Sequence, residues 1–456
     1  MNIKKAAIFS FGPLVAALVG FITTPVLSWL FSAESIGVYS LSMSVISFSI
    51  IVMCLGMDSS YIREFHETKN KLVLFSSCLI PSAFISIIFI TFLFFVNTLN
   101  VSVFTLVEVK YLLVISIIAM ANRFLSLRFR MQERAEVYSG YLILNKALTL
   151  VFILIYFKSG VLERSSIFYA FLSTHISLFI YLLLLSKEKF KLSTPDVSLL
   201  PSLLNYGIPL VVSSVSYWAM ASSDKFIISY YLGMESVGFY SVAQTLGAVF
   251  IIFQSILSVI WPPYIYKLNK KSPIIAIKKA SDWLDIIMSI SIFICIVFVS
   301  FSDVIVGVFP EEYSDIRNII SVIFLSSVIY TISELMLIGM NVSKKTSYVM
   351  FITIISLIVN LVLSIYLVKD FQLYGVAIST LISFSVMLFL RALGSHYFWG
   401  GEKKRSIFCK LLILYFVVLF HKYIPSYMLL FLGVGLIVVE YKKMRDVFNY
   451  VKLNKS

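Results

Sequence analysis

The chain contains one short string twice, as Glu34-Ser35-Ile36-Gly37-Val38-Tyr39-Ser40 and, 201 residues later, as Glu235-Ser236-Val237-Gly238-Phe239-Tyr240-Ser241. Both copies directly follow a long apolar segment, where a duplicated bundle would turn after its first helix. Membrane transporters are commonly built from two such repeats, with the substrate site at the repeat interface. The repeated string therefore predicts a duplicated helical bundle.

The composition places this bundle in a lipid bilayer. Hydrophobic residues make up 60% of the 456 residues and charged residues 13%, and the mean hydropathy is +0.96. A soluble domain carries about 25% charged residues, so this chain has too few to keep such a surface in water. The apolar run at residues 8–31 exceeds a signal-peptide core and lacks a cleavage site, so we expect a retained spanning helix. The four cysteines and four histidines are scattered, so neither a disulfide framework nor a metal site is expected.

Length and hydropathy together predict fourteen spanning helices, because a span needs about 20 apolar residues. They lie near residues 8–31, 36–57, 73–95, 107–127, 138–157, 165–186, 203–232, 237–262, 283–301, 318–340, 347–367, 375–394, 407–421 and 425–441. Six helices return the chain to its starting side, so a second set of six enters in the same orientation. We expect lobes at residues 1–200 and 201–400, then two extra helices and a basic tail at 401–456.

Lysine and arginine are unevenly distributed between alternate loops. With the N-terminus in the cytoplasm, the inner segments, Arg391 included, hold roughly four times as many as the outer ones. This bias predicts a multi-pass membrane protein with both termini in the cytoplasm. It also explains the net charge of +14 through anionic lipids, without nucleic acid as a partner.

The loops between the predicted spans are too short to hold a folded catalytic domain. The sequence contains no GxxxxGK[ST] loop and no GxGxxG that opens a helix, so we expect no nucleotide cofactor and no ATP hydrolysis by the chain itself. These features predict a transporter rather than an enzyme.

Three prolines lie within predicted spans and are interpreted as hinges: Pro13, Pro25 and Pro209. Proline removes a backbone donor and tends to kink a helix. Interrupted helices at matching places in two halves indicate a transport path, although proline is also common in membrane helices.

Several motifs resemble those of one transporter family. They are residues 34–40 with Gly56-Met57-Asp58 in the first half, and Asp224-Lys225-Phe226-Ile227-Ile228, Leu232-Gly233, residues 237–241 and Tyr374-Gly375-Val376-Ala377-Ile378-Ser379-Thr380 in the second. Over its whole length the chain resembles the polysaccharide transporter branch of the multidrug/oligosaccharidyl-lipid/polysaccharide (MOP) exporter superfamily, and most of all the Wzx-type O-antigen flippases. The resemblance implies an all-α, V-shaped, two-lobe MATE/MOP-like transporter. Many relatives carry an arginine late in the first helix, where this chain reads Thr24-Pro25-Val26-Leu27-Ser28-Trp29.

The resemblance also implies a cargo and partners. The cargo is an undecaprenyl-pyrophosphate-linked oligosaccharide, the repeat unit of O-antigen or a related surface polysaccharide, moved from the cytoplasmic to the periplasmic leaflet by alternating access. Membrane lipids, and a polymerase and chain-length regulator of the same pathway, are the implied partners. Three alternatives stay open: a cation-coupled multidrug exporter of the same superfamily, a membrane polysaccharide polymerase and a peptidoglycan-precursor flippase.

Charged residues within spans are the first candidates for the site, because a charge at mid-bilayer costs roughly 2.5–3.5 kcal/mol. Lys146, near the start of its predicted span, is either a cation for pyrophosphate or a snorkelling lysine. Asp224 and Lys225 point about 100° apart on one helix, and the resemblance favours a role in the lumen over an interfacial one. Glu334 is a candidate for pairing with a basic residue of the lumen or for proton coupling, with a structural pair as the alternative.

Two further arginines and two aspartates lie at predicted helix ends. Arg63 and Arg123 lie near inner ends, where head-group capture and simple positive-inside placement both explain an arginine. Asp282 and Asp285 lie where a predicted span begins, so the helix dipole is sufficient to explain them.

Sugars bind through aromatic faces and amide groups. Such groups within predicted spans complete the set of candidate lining residues: Tyr217, Trp218, Gln244, Asn145 and Asn360. Aromatic belts at the membrane interface are the alternative use of tyrosine.

Overall fold

The computed structural model describes residues 3–98, 104–186, 193–400, 405–420, 423–425, 428–436 and 438. Across these residues the regular structure is helical, and ten helices are long and apolar enough to cross a membrane. Lipid offers the backbone no hydrogen-bond partners, so long apolar runs satisfy their N–H and C=O groups inside helices. The protein is therefore an all-α, multi-pass membrane protein, as the sequence predicts.

The chain divides into two compact units, Met1–Gly238 and Phe239–Ser456. The helices of the first unit are α1 (Ile3–Ser28), α2 (Ala33–Cys54), α3 (Met57–Glu64), α4 (Lys71–Thr98), α5 (Leu106–Met131), α6 (Ala135–Lys158), α7 (Glu163–Leu185) and α8 (Leu200–Leu232). A 3-10 turn at Val197–Leu199 precedes α8, and α9 (Met234–Lys271) begins in the first unit. α8 packs against α2 and α3 within that unit. The predicted lobes at 1–200 and 201–400, and the two extra helices with a basic tail at 401–456, stay a prediction.

The second unit continues from α9. Its further helices are α10 (Pro273–Ser300), α11 (Ser302–Val306), α12 (Ile320–Met336), α13 (Ile338–Val342), α14 (Thr346–Trp399) and α15 (Arg405–Phe420), with a 3-10 segment at Glu311–Asn318. The 54-residue α14 is interrupted at Gln372, where φ is 49° and ψ is −133°. It therefore contains two of the predicted spans, those at 347–367 and 375–394.

Some predicted helix ends are corrected. α10 begins at Pro273, ahead of the predicted residue 283, because Ser272 accepts a hydrogen bond from the Ile275 N–H and caps it. Asp282 and Asp285 consequently lie inside the helix, and the interpretation that they stabilise its start is wrong. The predicted span at 425–441 is described only in part. Lys403, Lys404 and the basic tail beyond residue 438 lie outside the described residues.

Many buried hydroxyls are paired within their own helices. Ser44 donates to the Ser40 carbonyl at 3.1 Å, and Ser356 donates to the Ile352 carbonyl at 2.9 Å. Such one-turn bonds satisfy a hydroxyl without water. Charged side chains inside the helices are not satisfied by such one-turn bonds, so they need partners of another kind.

A candidate substrate cavity in the first unit

A cavity of about 810 Å³ lies within the first unit. Its walls come from α1, α2, α3, α5, α6, α7 and α8. The side chains with polar or aromatic groups that line it are Ser47, Asp58, Ser59, Arg123, Ser126, Tyr138, Tyr141, Asn145, Lys146, His175, Ser213, Ser214, Tyr217 and Trp218. The cavity thus brings together five of the predicted site residues: Lys146, Arg123, Asn145, Tyr217 and Trp218.

One wall of the cavity is a polar face of α6. Tyr138, Tyr141 and Asn145 follow each other at helical spacing, and Lys146 lies beside them. Because α6 begins at Ala135, Lys146 lies roughly 16 Å along the helix axis. That is near the middle of a hydrocarbon core about 30 Å thick, deeper than the predicted helix start implied.

Lys146 is a cation without a protein counter-ion in the described part of the chain. No hydrogen bond or ion pair to its ammonium is found among those residues. A Cβ added to Gly20 would lie 3.8 Å from its Cδ, so the lysine stem runs along α1. His175 of α7 lines the same cavity. A charge at this depth is costly unless it is matched, so water or an anionic ligand is its natural partner.

Arg123 forms an ion pair at another point of the cavity wall. Its Nε lies 3.3 Å and its Nη2 3.1 Å from the same oxygen, Oδ2 of Asp58. The Arg123 side chain is 41% exposed and that of Asp58 is 16% exposed. Asp58 is not among the predicted site residues, although it belongs to the Gly56-Met57-Asp58 motif that supports the resemblance.

Two glycines set the position of α3 and so of Asp58. Gly56 precedes α3 with φ 71°, a conformation that favours glycine. A Cβ on Gly56 would overlap the Gly207 carbonyl, so α3 and α8 touch through their backbones. Ser60 also donates to the Leu203 carbonyl at 2.7 Å. The backbone of α3, which carries Asp58, is therefore fixed against α8.

Another wall of the cavity is an aromatic and hydroxyl face of α8. Trp218 donates from Nε1 to the Ser44 carbonyl at 3.0 Å, and its ring centroid lies 4.5 Å from that of Phe48. These contacts fix the indole against α2. Tyr217 beside it is 51% exposed. Flat aromatic faces next to hydroxyl groups suit an apolar sugar face and its polar edge.

Three other predicted residues of the first unit do not line the cavity. The Arg63 guanidinium lies 4.4 Å from the ring centroid of Tyr206 and is exposed. On α8, Asp224 is buried and Lys225 is half-buried, beyond the last lining residue, Ala221. Their roles in translocation stay predictions.

In the second unit, Glu334 of α12 pairs with Arg391 of α14. The Arg391 Nη1 donates to Glu334 Oε1 at 2.6 Å and to Ser333 Oγ at 3.0 Å. Arg391 is 4% exposed and lies within α14, so it is a buried, paired cation of a helix and not a loop residue. A basic partner was one of the roles predicted for Glu334, but its identity does not follow from the sequence because the two residues are 57 positions apart.

A second buried ion pair joins α10 and α15. The Lys410 Nζ donates to the Asp285 carbonyl at 2.9 Å and to its Oδ1 at 3.2 Å. Both side chains are buried. Asp285 therefore holds a lysine of the additional helix that follows the predicted repeats.

The remaining predicted residues are distributed over four helices. Asn360 is buried in α14 and donates to Thr380 Oγ1 at 3.3 Å, while Gln244 is half-buried in α9. Pro13 and Pro25 lie within α1 and Pro209 within α8, and both helices continue through them. Their hinge role stays a prediction.

A family model described as "Polysaccharide biosynthesis protein" matches residues 3–269, which is more than half of the chain and includes every residue of the cavity. The chain belongs to the polysaccharide biosynthesis protein family. The family predicted from the repeated motifs is thereby confirmed.

A curated relative of this family member is an uncharacterized membrane protein of Methanocaldococcus jannaschii. The two are 25% identical over 193 residues, which is 41% of this chain and 44% of the relative. The aligned part thus spans less than half of the relative's length.

Solved transporters share the fold of this polysaccharide biosynthesis protein. The lipid II flippase MurJ, in an inward closed conformation, matches with a TM-score of 0.72 at 14% identity, covering 97% of this chain and 100% of MurJ. A MATE transporter of Vibrio cholerae matches with a TM-score of 0.61 at 12% identity, covering 89% and 98%. An inward-facing multidrug resistance MATE family transporter of the MOP superfamily matches with a TM-score of 0.58 at 15% identity, covering 90% and 96%. These likenesses confirm the predicted fold class, because the chain shares the all-α fold of these transporters.

Proposed function

We propose that this polysaccharide biosynthesis protein is a flippase for an undecaprenyl-pyrophosphate-linked oligosaccharide, the repeat unit of O-antigen or a related surface polysaccharide. It moves the cargo from the cytoplasmic to the periplasmic leaflet of the bacterial inner membrane by alternating access. The cargo leaves chemically unchanged, so the protein acts as a transporter and not as an enzyme. Membrane lipids surround it, and a polymerase and chain-length regulator would act on the delivered unit.

The observation that carries this proposal is the composition of the cavity in the first unit. It combines an unpaired cation, Lys146, with a second cation, Arg123, and with the aromatic face of Tyr217 and Trp218. Ammonium and guanidinium groups are the usual protein partners of phosphate, and aromatic rings pack on the apolar faces of sugars. The cavity thus offers separate groups for a pyrophosphate and for sugars.

The lipid tail does not need to enter this cavity. A charged head group in hydrocarbon lacks hydrogen-bond partners, whereas a polyprenyl chain is already in its preferred solvent. Lys146 near mid-bilayer supplies the positive counter-charge that the pyrophosphate would otherwise lack in the hydrocarbon core. Pro13, Pro25 and Pro209 are the proposed hinges of the motion.

Reconstitution tests this proposal. Purified protein is placed in liposomes that hold a fluorescent undecaprenyl-pyrophosphate oligosaccharide, and a membrane-impermeant quencher reports the accessible fraction. We expect the unchanged protein to expose the inner-leaflet pool, and Lys146→Gln to slow exposure at least about tenfold, because one charge-assisted contact is lost.

Lys158→Gln is the matched control. Lys158 lies on the same helix, is exposed and does not line the cavity, so its removal changes the charge equally. We expect this variant to transport at the unchanged rate. Absence of transport by the unchanged protein, or equal rates for the two variants, would contradict the proposal.

Export of a cationic drug is the second candidate, because the MATE transporters share the fold. Among the described lining residues Asp58 is the one carboxylate, and it is already bound to Arg123. An organic cation would therefore meet two cations and no unpaired carboxylate. Efflux of ethidium from the same liposomes, without movement of the lipid-linked oligosaccharide, would favour the exporter.

A further inference from the structure

The ion pair between Asp58 and Arg123 occupies the part of the arginine that an anionic ligand would use. Nε and Nη2 form one of the forked edges of a guanidinium, and both point at Oδ2 of Asp58. Carboxylate and phosphate oxygens bind to such an edge in the same way. A phosphate and Asp58 therefore cannot both occupy this edge in full.

The two cations of the cavity differ in this respect. Lys146 has no ion pair among the described residues, whereas Arg123 is paired and still 41% exposed. A partly exposed pair retains solvent access, so exchange of one anion for another does not require a buried charge to stand alone.

We propose that Asp58 is an internal competitor of the cargo's phosphate at Arg123. In the empty cavity the carboxylate occupies the Nε and Nη2 edge, and a bound pyrophosphate displaces it. This assigns a specificity and release function to Asp58 and rests on the proposed function. Lys146 attracts the anion without a competitor, and the Asp58–Arg123 pair sets how tightly the anion is held.

A transporter gains from such a competitor because a cargo that is bound too tightly is not released. Two contacts hold α3 against α8: the Gly56–Gly207 backbone contact and the hydrogen bond from Ser60 to the Leu203 carbonyl. They keep the Asp58 carboxylate near Arg123 while the cargo is present. The Asp58 carboxylate can then pair with the Arg123 guanidinium again when the phosphate leaves. A carboxylate that merely orients Arg123 would have the opposite effect on affinity, because its removal would weaken anion binding.

Anion titration of the full-length protein in detergent separates these two roles. The probe is inorganic pyrophosphate, and binding is measured by isothermal titration calorimetry. We expect Asp58→Asn to bind pyrophosphate about tenfold more tightly than the unchanged protein, since Arg123 becomes fully available. In the Arg123→Gln background the same change is expected to have no effect.

Asp58→Ser is prepared in parallel, because it removes the competing charge with a smaller side chain. Thermal unfolding of each variant identifies the ones that fold, and either folded variant is sufficient for the test. Equal or weaker binding by a folded variant would overturn the competitor role. Tighter binding that persists without Arg123 would overturn it as well, because the effect would then be general electrostatics.

The same titration distinguishes this inference from the proposed function. If the unchanged protein binds no pyrophosphate, or binds it equally well after Lys146→Gln, the proposed function with its anionic cargo is wrong. If binding depends on Lys146 but not on Asp58, only the competitor role is wrong.

Discussion

Gly37 of α2 and Gly238 of α9, the central glycines of the two repeated strings, pack against each other within the first unit. A Cβ on Gly37 would overlap the Met234 carbonyl oxygen and lie 3.1 Å from the Gly238 nitrogen, and a Cβ on Gly238 would overlap the Ala33 carbonyl oxygen. The same glycine is needed in both copies because two backbones meet there without room for a side chain. The repeated string is thus a helix contact as well as a sign of duplication.

Gly37→Ala should destabilise the protein through this contact. The added methyl group meets backbone atoms, which cannot rotate away, so we expect a loss of about 1–3 kcal/mol, typical of overpacking. The measurement is unfolding in detergent with increasing SDS. Gly435→Ala is the control, because a Cβ there has no neighbour within 4 Å. Equal unfolding midpoints for both variants would show that the contact has no energetic role.

Glu334→Ala should leave Arg391 buried without its carboxylate. We expect the free energy of unfolding to fall by about 3 kcal/mol, the lower end for breaking a buried pair, because the Glu334 side chain keeps 25% exposure. Glu312→Ala, at an exposed acid of the same unit, should change little. The double variant Glu334→Ala with Arg391→Met should recover part of the loss. A single variant as stable as the unchanged protein would favour a functional over a structural role for Glu334.

Lys410→Met should loosen α15 from α10, because the bonds from its ammonium to the Asp285 carbonyl and carboxylate are lost. The expected loss of stability is about 3–5 kcal/mol. SDS unfolding measures it, with Lys270→Met at an exposed end of α9 as the control. Adding Asp285→Asn should restore stability in part. If limited proteolysis of Lys410→Met matched that of the control, α15 would be held by apolar packing alone.

Tyr217→Ala should weaken sugar binding but not phosphate binding. Loss of one aromatic contact costs about 0.5–1.5 kcal/mol, so we expect a roughly threefold to tenfold higher Kd for the lipid-linked oligosaccharide. Inorganic pyrophosphate should bind as before. Tyr230→Ala is the control, since Tyr230 is exposed on α8 and does not line the cavity. A parallel loss of pyrophosphate binding would place Tyr217 at the phosphate end.

The spans could be predicted from the sequence because hydropathy adds up along the chain and a bilayer imposes a length. The same reasoning found Lys146, since a lysine inside an apolar run is visible without a structure. It placed Asp285 wrongly, because a charged residue within a helix and one at its start look alike in a hydropathy profile. The cap at Ser272 decides between them.

The partners of the charged residues could not be predicted. Asp58 and Arg123 are 65 positions apart, and Asp285 and Lys410 are 125 apart. Which of two residues faces the other depends on the rotation of each helix about its axis and on the packing of its neighbours. That information is not contained in any local window of the chain.

The sequence by itself determined that this chain lies in a membrane, where its long apolar helices lie along the chain, and which family it belongs to, because composition and motifs are properties of the chain alone. Only the tertiary structure decided that Lys146 stands unpaired in a cavity of the described first unit while Arg123 is already bound by Asp58. The physical reason is that a charge's cost in lipid depends on which groups folding brings within hydrogen-bond reach.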